Sequence, residues 1–135
     1  MTLLRILVVE DNSHVRELLS YALRAGASSF LPAPDDALEI DAARDGQEAL
    51  TVLGRLQISL LITDINLPVL NGNELIRRLR AASPSGPPRI LAISASASDA
   101  REEALAAGAD LFLQKPVRHA ELLDAVRQLL RVGAG

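Results

Sequence analysis

The sequence predicts an α/β domain: a five-stranded parallel sheet, doubly wound, with helices on both faces. Three observations predict it. Short aliphatic runs alternate with segments of helical spacing from one end of the chain to the other, the pattern of repeated βα units. The runs are apolar without clean alternation, as strands covered on both faces are. The chain has 135 residues, 49% apolar and only 2% aromatic, which is enough for one aliphatic core and too little for two domains.

The first strand is read over Leu3 to Val9, where Glu10 and Asp11 stop the run. Helix one follows, with Val15, Leu18, Leu19, Ala22 and Leu23 as its apolar stripe, and should end near Gly26. A weaker second strand spans Glu39 to Ala43, followed by a helix over Gln47 to Arg55. Strand three is Ser59 to Thr63, helix three Asn73 to Ala82, and strand four Ile90 to Ala95. Helix four is read over Asp99 to Ala107, with Asp99 and Glu102 spaced like a capping pair and Gly108 as a stop. Leu111 to Gln114 make strand five, and Leu122, Leu123, Val126, Leu129 and Leu130 are the stripe of the last helix. The connection over 27–38 is unusually long, since such loops run to about 2–6 residues. It includes Phe30 and Leu31, two exposed-looking apolar residues, and reads either as a surface loop or as a partner-binding elaboration.

Composition narrows the function. A net charge of −3 without a basic, aromatic-bearing patch argues against a nucleic-acid surface. The thirteen arginines are scattered and read as solvated helix faces. The absence of cysteine excludes disulfides, zinc–thiolate sites and thiol chemistry. No apolar run approaches the roughly 18 residues of a membrane span, so a soluble, cytoplasmic protein is expected.

In doubly wound sheets, ligands bind beyond the carboxyl ends of the strands. Those positions hold Glu10, Asp11, Asp64, Ser94 with Ala95, and Lys115, the only lysine. Three converging carboxylates repel unless a cation neutralises them. An all-oxygen set selects a hard cation, magnesium above all, with manganese and calcium satisfied by the same ligand types. Lys115 adds a compact ammonium and Ser94 a short donor, which together with the metal could hold the peripheral oxygens of a phosphoryl group on Asp64. Carboxylates are competent nucleophiles toward phosphorus, so Asp64 reads as a phosphoacceptor.

Four segments carry a resemblance. They are Ile6-Leu7-Val8-Val9-Glu10-Asp11-Asn12, Asp64 through Gly72, Ile93-Ser94-Ala95, and Gly108-Ala109-Asp110 through Lys115-Pro116. In this order they resemble the response-regulator receiver (CheY-like) domain of two-component signalling. The resemblance implies a flavodoxin-like strand order 2-1-3-4-5. It implies Asp11 as the main magnesium ligand, Glu10 acting through water, Asp64 as ligand and phosphoacceptor, and Asn66 offering its backbone carbonyl. It further implies that Ser94, the backbones of Ala95 and Asn66, and Lys115 meet the phosphoryl oxygens, that Pro68 and Gly72 shape the loop, and that Pro116 follows a cis bond. The implied partners are a sensor histidine kinase or histidine phosphotransfer protein, and a downstream protein that reads the surface of strands four and five. As Asp64 gains its phosphoryl group, Ser94 would be drawn inward and Phe112 would pack into the vacated space.

The chain departs from the family in Ser94, where members often carry threonine, and in Phe112, where tyrosine is common; Phe112 also reads simply as a core aromatic. Two alternatives stand beside the receiver reading. One is a magnesium-dependent phosphatase working through an aspartyl phosphate, although the second acid such enzymes place two residues after the nucleophile is here Asn66. The other is a pseudo-receiver that acts without phosphorylation. The receiver reading makes the chain no enzyme beyond handling its own aspartyl phosphate. It expects one domain over residues 1–135 with no output domain, either a stand-alone receiver beginning at Met1 or a piece of a hybrid kinase or larger regulator.

Overall fold

The computed structural model describes residues 2–84, 86–96 and 99–134, so Met1 and Gly135 lie outside the described residues. The strands are β1 (Leu3–Val9), β2 (Ala37–Ala43), β3 (Leu60–Asp64), β4 (Arg89–Ser94) and β5 (Leu111–Gln114). The helices are α1 (Ser13–Ala25), α2 (Gly46–Arg55), α3 (Gly72–Ala82), α4 (Ala100–Ala107) and α5 (His119–Ala134), with a 3-10 turn at Ala27–Ser29. All strand pairs are parallel and the order is β2-β1-β3-β4-β5, as the resemblance implied.

Each central strand feeds both faces of the sheet. Leu7 and Val9 of β1, Leu61 of β3, and Ile90 and Ala92 of β4 join one cluster with Ala49, Leu75, Ile76 and Ala104 of α2, α3 and α4. Ile6 and Val8, Leu60 and Ile62, and Leu91 and Ile93 join the other with Leu19 and Leu23 of α1 and Leu122 and Val126 of α5. Side chains alternate across a strand, so apolar runs without a polar partner are what two covered faces require. Register aligns Val9 with Ala43 and Thr63, and Asp64 with Ile93. Ser94 aligns with Gln114. The strand ends therefore form one crest, and the order reverses between β1 and β3.

Beyond one-residue shifts at the ends of β3, β4, α2, α3 and α4, the sequence expectations need five corrections. The β2 strand starts at Ala37, because its N–H donates to Thr2 O at 2.8 Å and pairing begins at Leu3, so two residues of the long connection are strand. Phe30 is only 7% exposed and packs in the α1/α5 cluster, with Leu31 half-buried against it; the pair makes no exposed patch. Leu18 is 49% exposed and leaves the α1 stripe. Asp99 sits at the N-terminus of α4 with helical backbone angles and forms no side-chain cap, whereas Gly108 ends that helix at φ 124° as expected. The arginines are not all solvated: Arg80 donates to Gly108 O at 2.8 Å, Gly86 O at 3.1 Å, Pro88 O at 3.2 Å and Asp110 at 2.6 Å.

Candidate functional site at the crest of the sheet

The loops leaving β1, β3, β4 and β5 meet at this crest. After β1, Glu10 N–H donates to Ala43 O at 3.0 Å, which carries the strand one residue further and buries the Glu10 side chain to 1% exposure. Asn12 then caps α1, its Oδ1 accepting from Val15 N–H at 3.0 Å, and its own N–H donates to Glu10 Oε2 at 3.1 Å. Arg16, one turn into α1, donates to Glu10 O at 2.8 Å. Asp11 is left exposed.

Asp64 is the last residue of β3 and 4% exposed. Asn66 N–H donates to its Oδ1 at 3.1 Å. The chain then turns sharply back, with Leu70 N–H donating to Pro68 O at 2.7 Å and Gly72 N–H to Ile65 O at 2.8 Å. Val69 takes φ 67° inside this turn, a left-handed conformation that costs a β-branched residue. Gly72 has no substitute here, since a Cβ would lie 2.3 Å from Asp64 O. Ser94 ends β4 and is fully buried, Ala95 beyond it is exposed, and Phe112 of β5 is 7% exposed with the Arg101 guanidinium 5.8 Å from its ring centre. Phe112 thus occupies the core position. Lys115 N–H donates to Ser94 O at 2.8 Å, and the Lys115–Pro116 bond is cis.

Lys115 Nζ reaches Asp64 Oδ2 at 2.8 Å and Glu10 Oε1 at 2.5 Å, making one ammonium the partner of two buried carboxylates. Burial raises the Glu10 pKa above its ordinary value, and the hydrogen bond from Lys115 offsets only part of that rise. Burial pulls the Lys115 pKa down, but its bonds to Asp64 and Glu10 outweigh this and hold it above the usual lysine value.

Glu10, Asp11 and Asp64 each present a carboxylate oxygen within 4.8 Å of the others. This set fits a hard divalent cation: all-oxygen, and open to solvent through Asp11, where retained waters can complete the coordination. Sequence reasoning found every one of these residues but missed what their neighbours do. The Asn66 side chain donates to Ser94 Oγ and Ser96 Oγ, each at 3.2 Å. Neither contact leaves a periodicity or motif signal, since both depend on how the loops after β3 and β4 are set side by side.

Residues 6–127 match the response regulator receiver domain family. The transcriptional regulatory protein PrrA of Mycobacterium leprae is 39% identical over 127 residues, covering 94% of this chain and 50% of that protein. The response regulator MprA of the same organism is 37% identical over 128 residues, covering 95% and 51%. This chain thus spans about half the length of the curated relatives it matches. Among solved structures, the chemotaxis response regulator CheY4 of Vibrio cholerae superposes with a TM-score of 0.78 at 26% identity, over 94% of this chain and 98% of that one. The receiver domain of the sensor histidine kinase PA1611 from Pseudomonas aeruginosa, with a magnesium ion coordinated in its active-site cleft, gives a TM-score of 0.79 at 28% identity over 95% and 98%. Among the described residues, no helix is long and apolar enough to cross a membrane.

Proposed function

Because the chain belongs to the response regulator receiver domain family, we propose that Asp64 is its phosphoacceptor and that Glu10, Asp11, Asp64 and the Asn66 carbonyl hold magnesium. The observation that carries this reading is Lys115 Nζ, which lies within hydrogen-bond reach of Asp64 and Glu10 together. One ammonium positioned by a backbone bond to Ser94 O marks where the oxygens of a phosphoryl group gain a partner.

The donor is a phosphohistidine of a sensor kinase or phosphotransfer protein. A carboxylate oxygen of Asp64 forms the bond to phosphorus, the P–N bond breaks, and the departing imidazole takes up a proton. Magnesium, when bound, neutralises the crowded carboxylates and the charge spread over the transferring oxygens. Glu10 keeps Lys115 in place before transfer, while Ser94 and the Ala95 amide supply donors from the neighbouring strand. Pro68 and Gly72 fold the loop tightly enough for Asn66 to remain beside Asp64, and Pro116 turns the chain after Lys115. Phosphorylation adds about −1.5 to −2 charges, which draws in Ser94 and changes the β4–β5 surface around Phe112 that a downstream protein reads. A cytoplasmic setting for this chain is part of the same reading, supported by its membership of the receiver family. The family and the Asn66 amide at the second position after Asp64 make a phosphatase acting on other substrates the weaker reading, and the full set of five polar groups speaks against a pseudo-receiver.

Incubation with magnesium and acetyl phosphate should add one phosphoryl mass to the wild type and none to Asp64→Ala, as read by intact-protein mass spectrometry. Undiminished labelling of the alanine variant would overturn the assignment.

A further inference from the structure

The Ser94 hydroxyl is engaged in the unphosphorylated protein. Asn66 Nδ2 donates to it at 3.2 Å and Ser96 N–H donates to it at 3.0 Å, so both lone pairs of the oxygen are occupied. Neither donor is part of Asp64, whose Oδ1 and Oδ2 are already met by Asn66 N–H and Lys115. The same Asn66 amide is braced at 3.2 Å by Ser96 Oγ. Ser94 is fully buried, so no bulk water replaces a donor that is lost.

We propose that the Asn66 side chain is a positioning residue that latches Ser94 in its unphosphorylated rotamer, so that Ser94 reaches a phosphoryl group on Asp64 only by breaking the Asn66 bond. This deepens the reading of Asp64 as phosphoacceptor and rests on it. Asn66 thus has two parts: its carbonyl belongs to the metal set and its amide opposes switching. The latch sets how strongly a phosphoryl group must attract Ser94 before the equilibrium moves. A hydrogen bond between neutral groups shifts an equilibrium by about 3- to 10-fold. Removing the latch therefore raises the apparent affinity for a phosphoryl mimic by that factor, because the competent state is more populated beforehand.

Beryllium fluoride titrations at saturating magnesium, followed by amide NMR, test this in wild type, Asn66→Ala, Ser96→Ala and Asp64→Ala. Asn66 is exposed, so its truncation leaves the core intact. Asn66→Ala should bind beryllium fluoride about 3- to 10-fold more tightly. Its unliganded Ser94, Ala95 and Phe112 amides should move along the line joining the free and bound wild-type positions. Ser96→Ala, which removes only the brace, should give a smaller gain in the same direction. Equal or weaker binding by Asn66→Ala while wild type binds normally would overturn the latch and leave the phosphoacceptor reading standing. A wild type that binds no better than Asp64→Ala would sink both.

Discussion

At the scale of single residues, the informative group is Glu10, a carboxyl buried to 1% exposure on an ammonium it shares with Asp64. Its folded pKa is raised above 4.5, first by burial and against the pull of Lys115. The folded protein therefore holds this proton more tightly than the unfolded chain does, and ionising Glu10 lowers stability. The loss begins near pH 4.5, grows up to the raised value and is constant above it. Glu10→Gln has no such titration. With a chelator present, the stability of wild type relative to Glu10→Gln should fall as pH rises across that window, in urea unfolding measured at several pH values. Magnesium added at neutral pH should then restore the wild type selectively, since a ligand of the native state alone stabilises it by mass action. A relative stability that rises with pH would mean that the Lys115 pair outweighs burial. Lys115 titrates in the opposite region: its raised pKa contributes stability below 10.5 that disappears as pH climbs through the folded value.

Secondary-structure elements were legible in proportion to how local their causes are. The strands show as aliphatic runs because two covered faces leave no room for polar residues, yet their ends move by one or two positions where hydrogen bonding across strands decides, as at Ala37 and Asp64. The cap expected from Asp99 and Glu102 failed because spacing alone does not fix the backbone angles a cap needs. Arg80 was illegible altogether: in sequence it resembles any helix-surface arginine, and its partners at Gly108 and Asp110 are distant in the chain. Asp110 accepts from Ile90 N–H at 2.7 Å as well, so this pair ties α3 to the start of β4 and to the turn before β5. Arg80→Met keeps the apolar stem but leaves three carbonyls without the guanidinium and the half-buried Asp110 carboxylate with only its bond from Ile90 N–H. A loss of about 2–4 kcal/mol in urea unfolding is expected. A loss below about 1 kcal/mol would show that water replaces the guanidinium at little cost.

At the scale of the whole molecule, the site was readable because parallel topology collects every strand's carboxyl end on one crest, so five residues scattered from Glu10 to Lys115 could be placed together before any coordinates. The same topology sends α1 back to the other end of the sheet, where Asp36 accepts from Thr2 N–H at 2.7 Å and the long connection packs beside the strand entries. What the sequence could not reveal is that this connection folds inward. Phe30 sits next to polar and turn-forming residues, and only the 3-10 turn at Ala27–Ser29 redirects it into the cluster with Leu23 and Val126. The connection is therefore part of the core at one end of the sheet and remote from Asp64 at the other. Phe30→Ala should lower stability by about 3 kcal/mol, as large-to-small changes in a packed core do. Under conditions where the variant remains folded, acetyl phosphate should label it at the wild-type rate, because no element of the crest is disturbed. Thermal unfolding and intact-mass time courses on the same samples separate the two effects. A stable Phe30→Ala variant would place the ring outside the core, and a folded variant that labels slowly would show that the connection communicates with Asp64 through α1 and Arg16, the α1 residue that reaches Glu10 O.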